Sequence, residues 1–232
     1  QTIDFNLKPT GNELAEIDVK VSAFEKNPDI PLSSRTLGIA ELERNPGGNR
    51  DVSKVIQSLP GVAQGVAFRN DLIVRGGGPN ENRFFLEDIE TPNINHFATQ
   101  GASGGPVGML DINYIRKVDF LTSSFPANNY NALSSVMKVN FKNPRKDRLG
   151  VRATFGASDF GIATEGPISE KTTFFLSARR SYLQLLFKAI GLPFLPTYND
   201  VLYKVKTEIN PKTEFYTIFL GAIDDNNLNL NV

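Results

Sequence analysis

Residues 200–210 alternate between two kinds of side chain, and this pattern constrains the fold more than any other in the chain. The odd-numbered positions are apolar or neutral, and the even-numbered positions between them are mostly charged or polar. A period of two is that of a β-strand whose two faces meet different surroundings. A turn at 210–213 follows, and then a second strand-like run over 214–224. Paired strands of about ten residues are typical of a membrane-spanning barrel, whereas soluble sandwich strands usually have about five or six.

The two faces of such a strand predict which side chains meet lipid and which meet the wet interior. We expect Lys204, Lys206 and Glu208 to face the interior. Aromatic residues in the C-terminal strands fit either a girdle at the membrane interface or the core of a soluble sandwich, and strand length favours the girdle. They are Phe174, Phe175, Tyr182, Tyr203, Phe215, Tyr216 and Phe219.

Composition excludes several classes of function. The chain has 232 residues with 25 basic and 25 acidic side chains, so no net field points to nucleic acid as a partner. There is no cysteine, which excludes disulfides, thiolate metal sites and cysteine nucleophiles. The single histidine, His96, argues against a multi-histidine metal site or a catalytic triad. We therefore expect no enzymatic activity, no metal and no cofactor.

The chain divides into three segments. Residues 1–31 hold two short alternating runs and an extended linker, and the first run is expected to be the last strand of a small preceding domain. Residues 32–145 are compact and mixed, with an amphipathic helix predicted after Asp51. Residues 146–232 contain five strand candidates, with a short helix or an insertion at 182–192. Five strands cannot close a barrel, because an open edge cannot face lipid, so we expect many more strands beyond this chain and any export signal outside it.

Three blocks of the middle segment resemble the plug domain of TonB-dependent outer-membrane receptors. Residues 51–62 are similar to the first plug helix and its Leu-Pro-Gly-Val exit. Residues 72–77 and 83–89 resemble the Ile-Arg-Gly strand and the following strand that ends in Asp-Gly. Residues 112–121 and 132–139 resemble the last two plug strands. The order and spacing of these blocks, followed directly by barrel-like hairpins, make the resemblance specific.

The sequence departs from the family pattern at three places. They are Thr122-Ser123-Ser124 in place of Arg-Gly-Pro, Ser134-Ser135 in place of Gly-Gly, and Asp88-Ile89 in place of Asp-Gly. The missing arginine leaves Arg75 and Arg116 as candidates for ion pairs between plug and barrel. For Arg75, the alternative is a solvated surface position. The insertion at 182–192 and the preceding small domain look like the Bacteroidetes-type branch of the family.

The resemblance implies a fold and a mechanism. The fold is a mixed α+β plug domain followed by antiparallel strands of an incomplete transmembrane β-barrel, with about 22 strands in the parent protein. The mechanism is active import of a siderophore, glycan, peptide or cobalamin across the bacterial outer membrane, with the plug gating the barrel and TonB pulling on a short box. Membrane lipid and a surface lipoprotein are further expected partners. The alternative is a soluble, secreted β-rich module that binds a glycan or another ligand.

The resemblance also implies positions for the functional residues. The candidate TonB box is Glu16, Ile17, Asp18, Val19, Lys20 and Val21, and the alternative is an ordinary edge strand. The loop 93–106 is placed at the extracellular apex of the plug, with Asn95, His96, Phe97 and Gln100 as ligand-contact candidates. Asn129 and Tyr130 form a second apex candidate. For both loops, the alternative is a loop without ligand contact.

Overall fold

The computed structural model describes residues 33–48, 50–65, 69–156 and 158–229. The N-terminal segment, and with it the candidate TonB box at 16–21, lies outside the described residues. Two five-stranded sheets organise the described part. We call the part from 33 to 141 the plug and the second sheet the wall.

The plug is a mixed sheet with two short helices and a small separate ribbon. Its elements are β1 (Ser34–Gly38), α1 (Ile39–Arg44), α2 (Val52–Gln57), β2 (Val62–Gln64), β3 (Leu72–Val74), β4 (Asn82–Leu86), β5 (Ile89–Thr91), β6 (Ile115–Leu121) and β7 (Ser135–Phe141). The sheet order is β1-β6-β7-β4-β5, with β4 and β7 parallel and the other pairs antiparallel. Among the described strands, β1 is therefore an edge strand that pairs only with β6.

Helix α2 forms where the apolar spacing predicts a helix. The Asp51 carboxylate accepts a hydrogen bond from the Ser53 backbone N–H at 2.9 Å, which caps the first turn. Val52, Val55 and Ile56 are buried in the plug core. The predicted amphipathic helix is confirmed.

The hairpin between β4 and β5 turns through two residues with left-handed backbone. Glu87 has φ +49 and Asp88 has φ +66, and Leu86 pairs with Ile89 across the turn. Positive φ at both central positions defines a type I′ turn, which favours Asn-Gly or Asp-Gly. The family's Asp-Gly therefore corresponds to Glu87-Asp88. Aligning it with Asp88-Ile89 was wrong by one residue, because neither turn residue here is a glycine that would mark the position.

Replacing Asp88 by glycine should stabilise the plug by about 0.5–1 kcal/mol, since glycine adopts positive φ without steric cost. Removing the Asp88 side chain costs little stability, because its carboxylate is exposed and its ion pair with Lys138 Nζ, at 3.6 Å, is a surface pair. The measurement is the plug unfolding transition of the full-length receptor by calorimetry. Ile89→Gly, one residue further in β5, is the matched control and should destabilise. Equal shifts for the two variants would contradict the turn assignment.

The wall is an antiparallel sheet whose strands follow one another in chain order. Its elements are β8 (Gly150–Phe155), β9 (Asp159–Ser169), β10 (Thr172–Ser181), α3 (Leu183–Ala189), β11 (Phe194–Asn210) and β12 (Thr213–Leu228). The last two strands have 17 and 16 residues, so β11 begins six residues before the predicted strand and β12 extends past its predicted end. The segment at 182–192 contains a helix, α3. None of the described helices is long and apolar enough to cross a membrane.

The alternation along β11 separates the two faces of the wall. Leu202, Lys204 and Lys206 are buried on the inner face, against the plug. Val201 and Tyr203 lie on the opposite, outer face. Phe175 of β10 and Leu202 join the apolar core of the plug, so one hydrophobic cluster connects the two sheets. This continuous core fixes the plug against the inner face of the wall.

Candidate functional site at the interface of plug and wall

The inner face of β11 presents a ladder of side chains to the plug. Tyr198, Asp200, Leu202 and Lys204 occur at every second residue, and each is buried. Over this stretch β11 pairs with β12 residue by residue, without a bulge. Side chains two residues apart therefore stay on the same face of the sheet. The contacts at each position of this ladder define the interface.

His96 of the plug contacts the ladder at its N-terminal end, at Tyr198 and Asp200. Its side chain is fully buried, with Nδ1 at 2.6 Å from Asp224 Oδ1 and Nε2 at 2.9 Å from Asp200 Oδ2. Its ring stacks on Tyr198 with centroids 4.2 Å apart. A ring nitrogen donates to a carboxylate only when it carries a hydrogen. Both bonds therefore form together when the ring is an imidazolium or when one carboxylate is protonated.

Arg179 of β10 contacts the same Asp200 carboxylate as His96. Its Nε lies 3.0 Å from Asp200 Oδ1 and its Nη2 lies 2.9 Å from Asp200 Oδ2, a two-point contact with the carboxylate. The same Nη2 donates to the Gly108 carbonyl at 2.8 Å. We call His96, Arg179, Asp200 and Asp224 the latch. It joins one plug loop to three neighbouring strands of the wall.

The latch has a histidine and two carboxylates, but they do not surround a common point. The two carboxylates approach opposite nitrogens of the ring, which point away from each other. Within the described ranges, no group of three or more His, Asp or Glu side chains is arranged to hold a metal ion. The chemistry of the latch is that of charge-assisted hydrogen bonds.

The loop that carries His96 is fixed at its base by the plug interior. The His96 N–H donates to the Val107 carbonyl at 2.7 Å, and the Met109 N–H donates to the Ile94 carbonyl at 2.8 Å. A Cβ at Gly105 would lie 1.7 Å from the His96 carbonyl oxygen, so only glycine fits there. The loop therefore presents His96 from a rigid, closed base.

A buried carboxylate connects this loop to helix α2. The Gly108 N–H donates to Asp51 Oδ2 at 2.8 Å, and Asn70 Nδ2 donates to the same oxygen at 2.6 Å. Burial raises the pKa of the Asp51 carboxyl, and the bonds from Asn70, Gly108 and Ser53 oppose that shift. Gly108 thus bonds to Asp51 through its N–H and to Arg179 through its carbonyl. Hydrogen bonds run without a gap from the cap of α2 to the wall.

A second ion pair lies at the C-terminal end of the ladder, at Lys204. Lys204 Nζ is 2.7 Å from Glu87 Oε1; the Lys204 side chain is buried and the Glu87 side chain is half-buried. The same Glu87 oxygen accepts the Phe141 backbone N–H at 2.9 Å. Lys204 and Lys206 are buried on the plug-facing side as predicted. Lys206 pairs with Glu214 of the neighbouring strand at 2.8 Å.

Tyr114 supplies the aromatic part of the interface. Its ring stacks on Phe175 with centroids 4.2 Å apart and an interplanar angle of 7°. Its hydroxyl lies 2.9 Å from the Thr164 carbonyl and 3.2 Å from the Leu176 carbonyl of the wall. Burial raises the pKa of this hydroxyl, so it stays protonated and donates at neutral pH.

One hydrogen bond between a hydroxyl and a carboxylate joins the plug to the middle of β10. Ser177 Oγ donates to Asp111 Oδ2 at 2.9 Å. The other oxygen of Asp111 accepts the Asn113 N–H at 3.0 Å, which orients the carboxylate. A cavity of about 270 Å³, lined by residues of the plug and of the wall including Asp111 and Arg179, lies beside this bond. The interface therefore combines the apolar contact of Phe175 and Leu202 with the plug core and bonds that water can replace.

The predicted ligand-contact residues fall into buried and exposed groups. Asn95, His96 and Asn129 are buried, and Asn95 Nδ2 donates to the Ser103 carbonyl at 3.0 Å within the plug. Gln100 and Tyr130 are exposed and stay predictions as ligand contacts. The geometry gives His96 another role, since both of its ring nitrogens are bonded to the wall.

Phe97 lies between these two groups. It is half-buried with φ +54, and its N–H donates to Asp224 Oδ2 at 2.6 Å. Its backbone thus belongs to the latch, and its ring stays a predicted ligand contact.

The predicted arginine candidates are not the groups that pair with the described wall. Arg75 Nη2 donates to Ser33 Oγ at 3.1 Å within the plug, and Arg116 is exposed. Within the described residues, the plug side chains that bond to the middle strands of the wall include those of His96, Glu87 and Asp111. Ion pairs of Arg75 and Arg116 with barrel strands stay predictions. The sequence contained one signal for the place of Asp200 in the latch: it has the even parity of Lys204 in the alternating run. No sequence signal indicated the roles of Arg179 and Asp224.

No protein-family model matches the sequence, and no curated protein sequence matches it. Solved outer-membrane receptors do match the structure. A mutant of the ferric enterobactin receptor PfeA from Pseudomonas aeruginosa is 13% identical, with a TM-score of 0.58 over 84% of this chain and 33% of the receptor chain. The siderophore receptor PirA from Acinetobacter baumannii is 14% identical, with a TM-score of 0.59 over 84% of this chain and 32% of that chain.

The pyoverdine outer membrane receptor FpvA from Pseudomonas aeruginosa, bound to pyoverdine, matches in the same way. It is 14% identical, with a TM-score of 0.60 over 85% of this chain and 28% of the receptor chain. This chain thus spans about a third or less of the length of these receptors. The described residues have the fold of the plug and first barrel strands of TonB-dependent outer-membrane receptors.

Proposed function

We propose that this chain is the plug and the first wall strands of a receptor that imports a ligand across the bacterial outer membrane, energised by TonB. One observation carries the proposal: the wall binds the plug through polar contacts on its inner face and exposes apolar side chains on its outer face. The shared fold with solved siderophore receptors supports the same assignment.

The outer face of the wall suits contact with lipid. Exposed apolar side chains recur on β8, β9, β11 and β12 in the parity opposite to the plug, including Val151, Ile162, Ile209, Phe219 and Ile223. A soluble binding module would need to bury a patch of this extent against another layer. In a bilayer the same patch contacts lipid hydrocarbon and does not need a covering protein layer. The outer face therefore favours the membrane receptor over the soluble module.

The inner interface suits a gate that opens and closes. Charge-assisted bonds at the latch and at Lys204–Glu87 hold the plug when it is docked. Water can replace these bonds when the plug moves, which limits the cost of separation. An interface made only of apolar contacts would lose its full hydrophobic stabilisation on each opening. We infer that import requires the latch to break.

The ligand is expected to approach the exposed apex residues, Gln100 and Tyr130. Siderophore, glycan, peptide and cobalamin are the candidate classes. The solved neighbours named for siderophores make a ferric siderophore the first probe to test. TonB and outer-membrane lipid are proposed partners, together with a surface lipoprotein if the Bacteroidetes-type assignment holds.

The proposal is tested at the candidate TonB box. Val19→Pro removes a backbone N–H and blocks strand pairing, so uptake should fall to the level of a strain without TonB. Ligand binding to whole cells should be unchanged, because the box is predicted on the periplasmic side. The measurement is uptake of labelled ligand, after growth of a knockout on defined iron and carbon sources has identified the ligand.

Val19→Ile is the matched control, since it keeps the N–H and the β-branched side chain. It should import normally. Normal uptake by Val19→Pro as well would refute the box, and uptake that does not depend on TonB in the unmodified receptor would refute the proposed function.

A further inference from the structure

Helix α3 carries exposed apolar side chains that the plug and wall do not use. Leu185 and Ile190 are 63% and 70% exposed, and Leu186 is 44% exposed. The helix is short and lies in the connection between β10 and β11. An exposed apolar cluster of this kind needs an apolar surrounding.

The opposite side of α3 is attached to the first residues of β11. Thr197 Oγ1 donates to Gln184 Oε1 at 2.8 Å, and Phe187 meets Phe194 edge-on with centroids 5.4 Å apart. Thr197 has the odd parity of Val201 and Tyr203, so it lies on the outer face, and it is nevertheless only 9% exposed. The helix therefore covers the outer surface of β11 near its first residues.

The height of α3 follows from the strand geometry. The apolar outer face of β11 runs from Ile209 to Val201, and Ile223 extends it on β12 opposite Asn199. Ten residues at about 3.3 Å each, tilted by about 45°, span roughly 25 Å, the height of the apolar band of such barrels. Thr197 lies two residues further, about 5 Å above that edge. Helix α3 is thus at the level where hydrocarbon gives way to headgroups.

Charged side chains mark the same level. Arg180 pairs in register with Asn199 and is exposed on the outer face, and Lys188 is exposed on α3. Asp225 and Asn227 of β12 continue the outer face beyond Ile223 and make it polar. Long cationic side chains at this height reach anionic headgroups while the apolar side chains beside them contact acyl chains.

We propose that α3 is an interfacial anchor, with Leu185, Leu186 and Ile190 immersed in the outer leaflet of the membrane. The occupant of its exposed face is lipid, because α3 is continuous with the apolar outer face of the wall and is bracketed by cations. The longer β10–β11 connection places it on the extracellular side, where barrel loops are long and the opposite turns short. The inference rests on the proposed membrane location of the wall.

The test uses spin labels on the full-length receptor in lipid vesicles. Labels are attached at Leu185→Cys or Ile190→Cys, with any cysteine elsewhere in the receptor replaced by serine. Collision with oxygen, which concentrates in hydrocarbon, is compared with collision with a water-soluble nickel chelate. Phe219→Cys on the outer face is the lipid reference, and Lys212→Cys in the 210–213 turn is the aqueous reference. All four positions are exposed, so the labels do not disturb the core.

We expect the labels at 185 and 190 to shift toward the reference at 219, with oxygen collision favoured over nickel collision. If they match the label at 212, or if both reagents are excluded because a protein covers the helix, the anchor is overturned. If the label at 219 is itself aqueous, the proposed membrane location fails. The two failures are therefore distinguishable.

Discussion

Import should stop when the plug is cross-linked to the wall between Asp111→Cys and Ser177→Cys. The two native side chains meet at 2.9 Å, so a short thiol-specific cross-linker spans the replacements. The rest of the interface keeps its side chains, and the proposed ligand site at the apex stays open. We expect uptake of labelled ligand to fall to background while surface binding is retained, because the plug can no longer leave the inner face.

A cross-link within the wall is the matched control. Thr172 and Thr207 face each other across β10 and β11, with hydroxyl oxygens 3.1 Å apart. Replacing both with cysteine and adding the same reagent ties two wall strands together and leaves the plug free. This variant should import normally. Continued uptake by the fully cross-linked plug–wall variant would show that the plug need not separate from this face.

The second large effect is expected at Asp200, the carboxylate that Arg179 and His96 share. Asp200→Ala leaves Arg179 and His96 buried without this partner. Removing one partner of a buried charge network typically costs about 3–5 kcal/mol. The loop at 93–108 should therefore detach more often, without unfolding the wall. The measurement is hydrogen exchange of the Phe97 amide, which is bonded to the Asp224 carboxylate of the wall. The His96 amide is bonded to the Val107 carbonyl within the same loop, so it should stay protected.

The Phe97 amide should exchange roughly 10²- to 10³-fold faster, since each factor of ten corresponds to about 1.4 kcal/mol of opening free energy. Asp225→Ala is the control. It removes an exposed carboxylate one residue from Asp224, and the lost Asp225 Oδ2 accepts only from Asn227, at 2.8 Å, among the bonds described. It should leave the Phe97 amide protected. Unchanged exchange in Asp200→Ala would mean that the latch does not hold the loop.

The sequence predicted those features whose cause is local. The period of two along β11 placed Lys204 and Lys206 on the inner face, because strand parity needs no knowledge of the partner strand. The cap and apolar spacing predicted α2 for the same reason. The start of β11 was missed because Pro196 and the preceding Gly191-Leu192-Pro193 resemble a loop. Pairing with β12 across sixteen positions holds that stretch as a strand.

The latch was beyond sequence reasoning because its members meet only through the register of two sheets. His96 contacts Asp200 and Asp224, which are 104 and 128 residues away along the chain. A single histidine in a loop rich in glycine and asparagine also has the composition of a ligand site. Only the depth of the loop against the wall distinguishes the two roles.

The edge position of β1 has a mechanical consequence. Among the described elements, a force applied to the chain ahead of Ser34 reaches this strand first, and β6 is its one neighbour there, from Ser34 opposite Leu121 to Gly38 opposite Lys117. Of its four side chains only Leu37 is buried, so little apolar surface resists its removal. Pulled from its first residue, β1 peels away one pair at a time, and the load then passes to α1 and β6. The plug is thus built to yield progressively from its N-terminal edge, while the latch holds a part of the plug that the load reaches later.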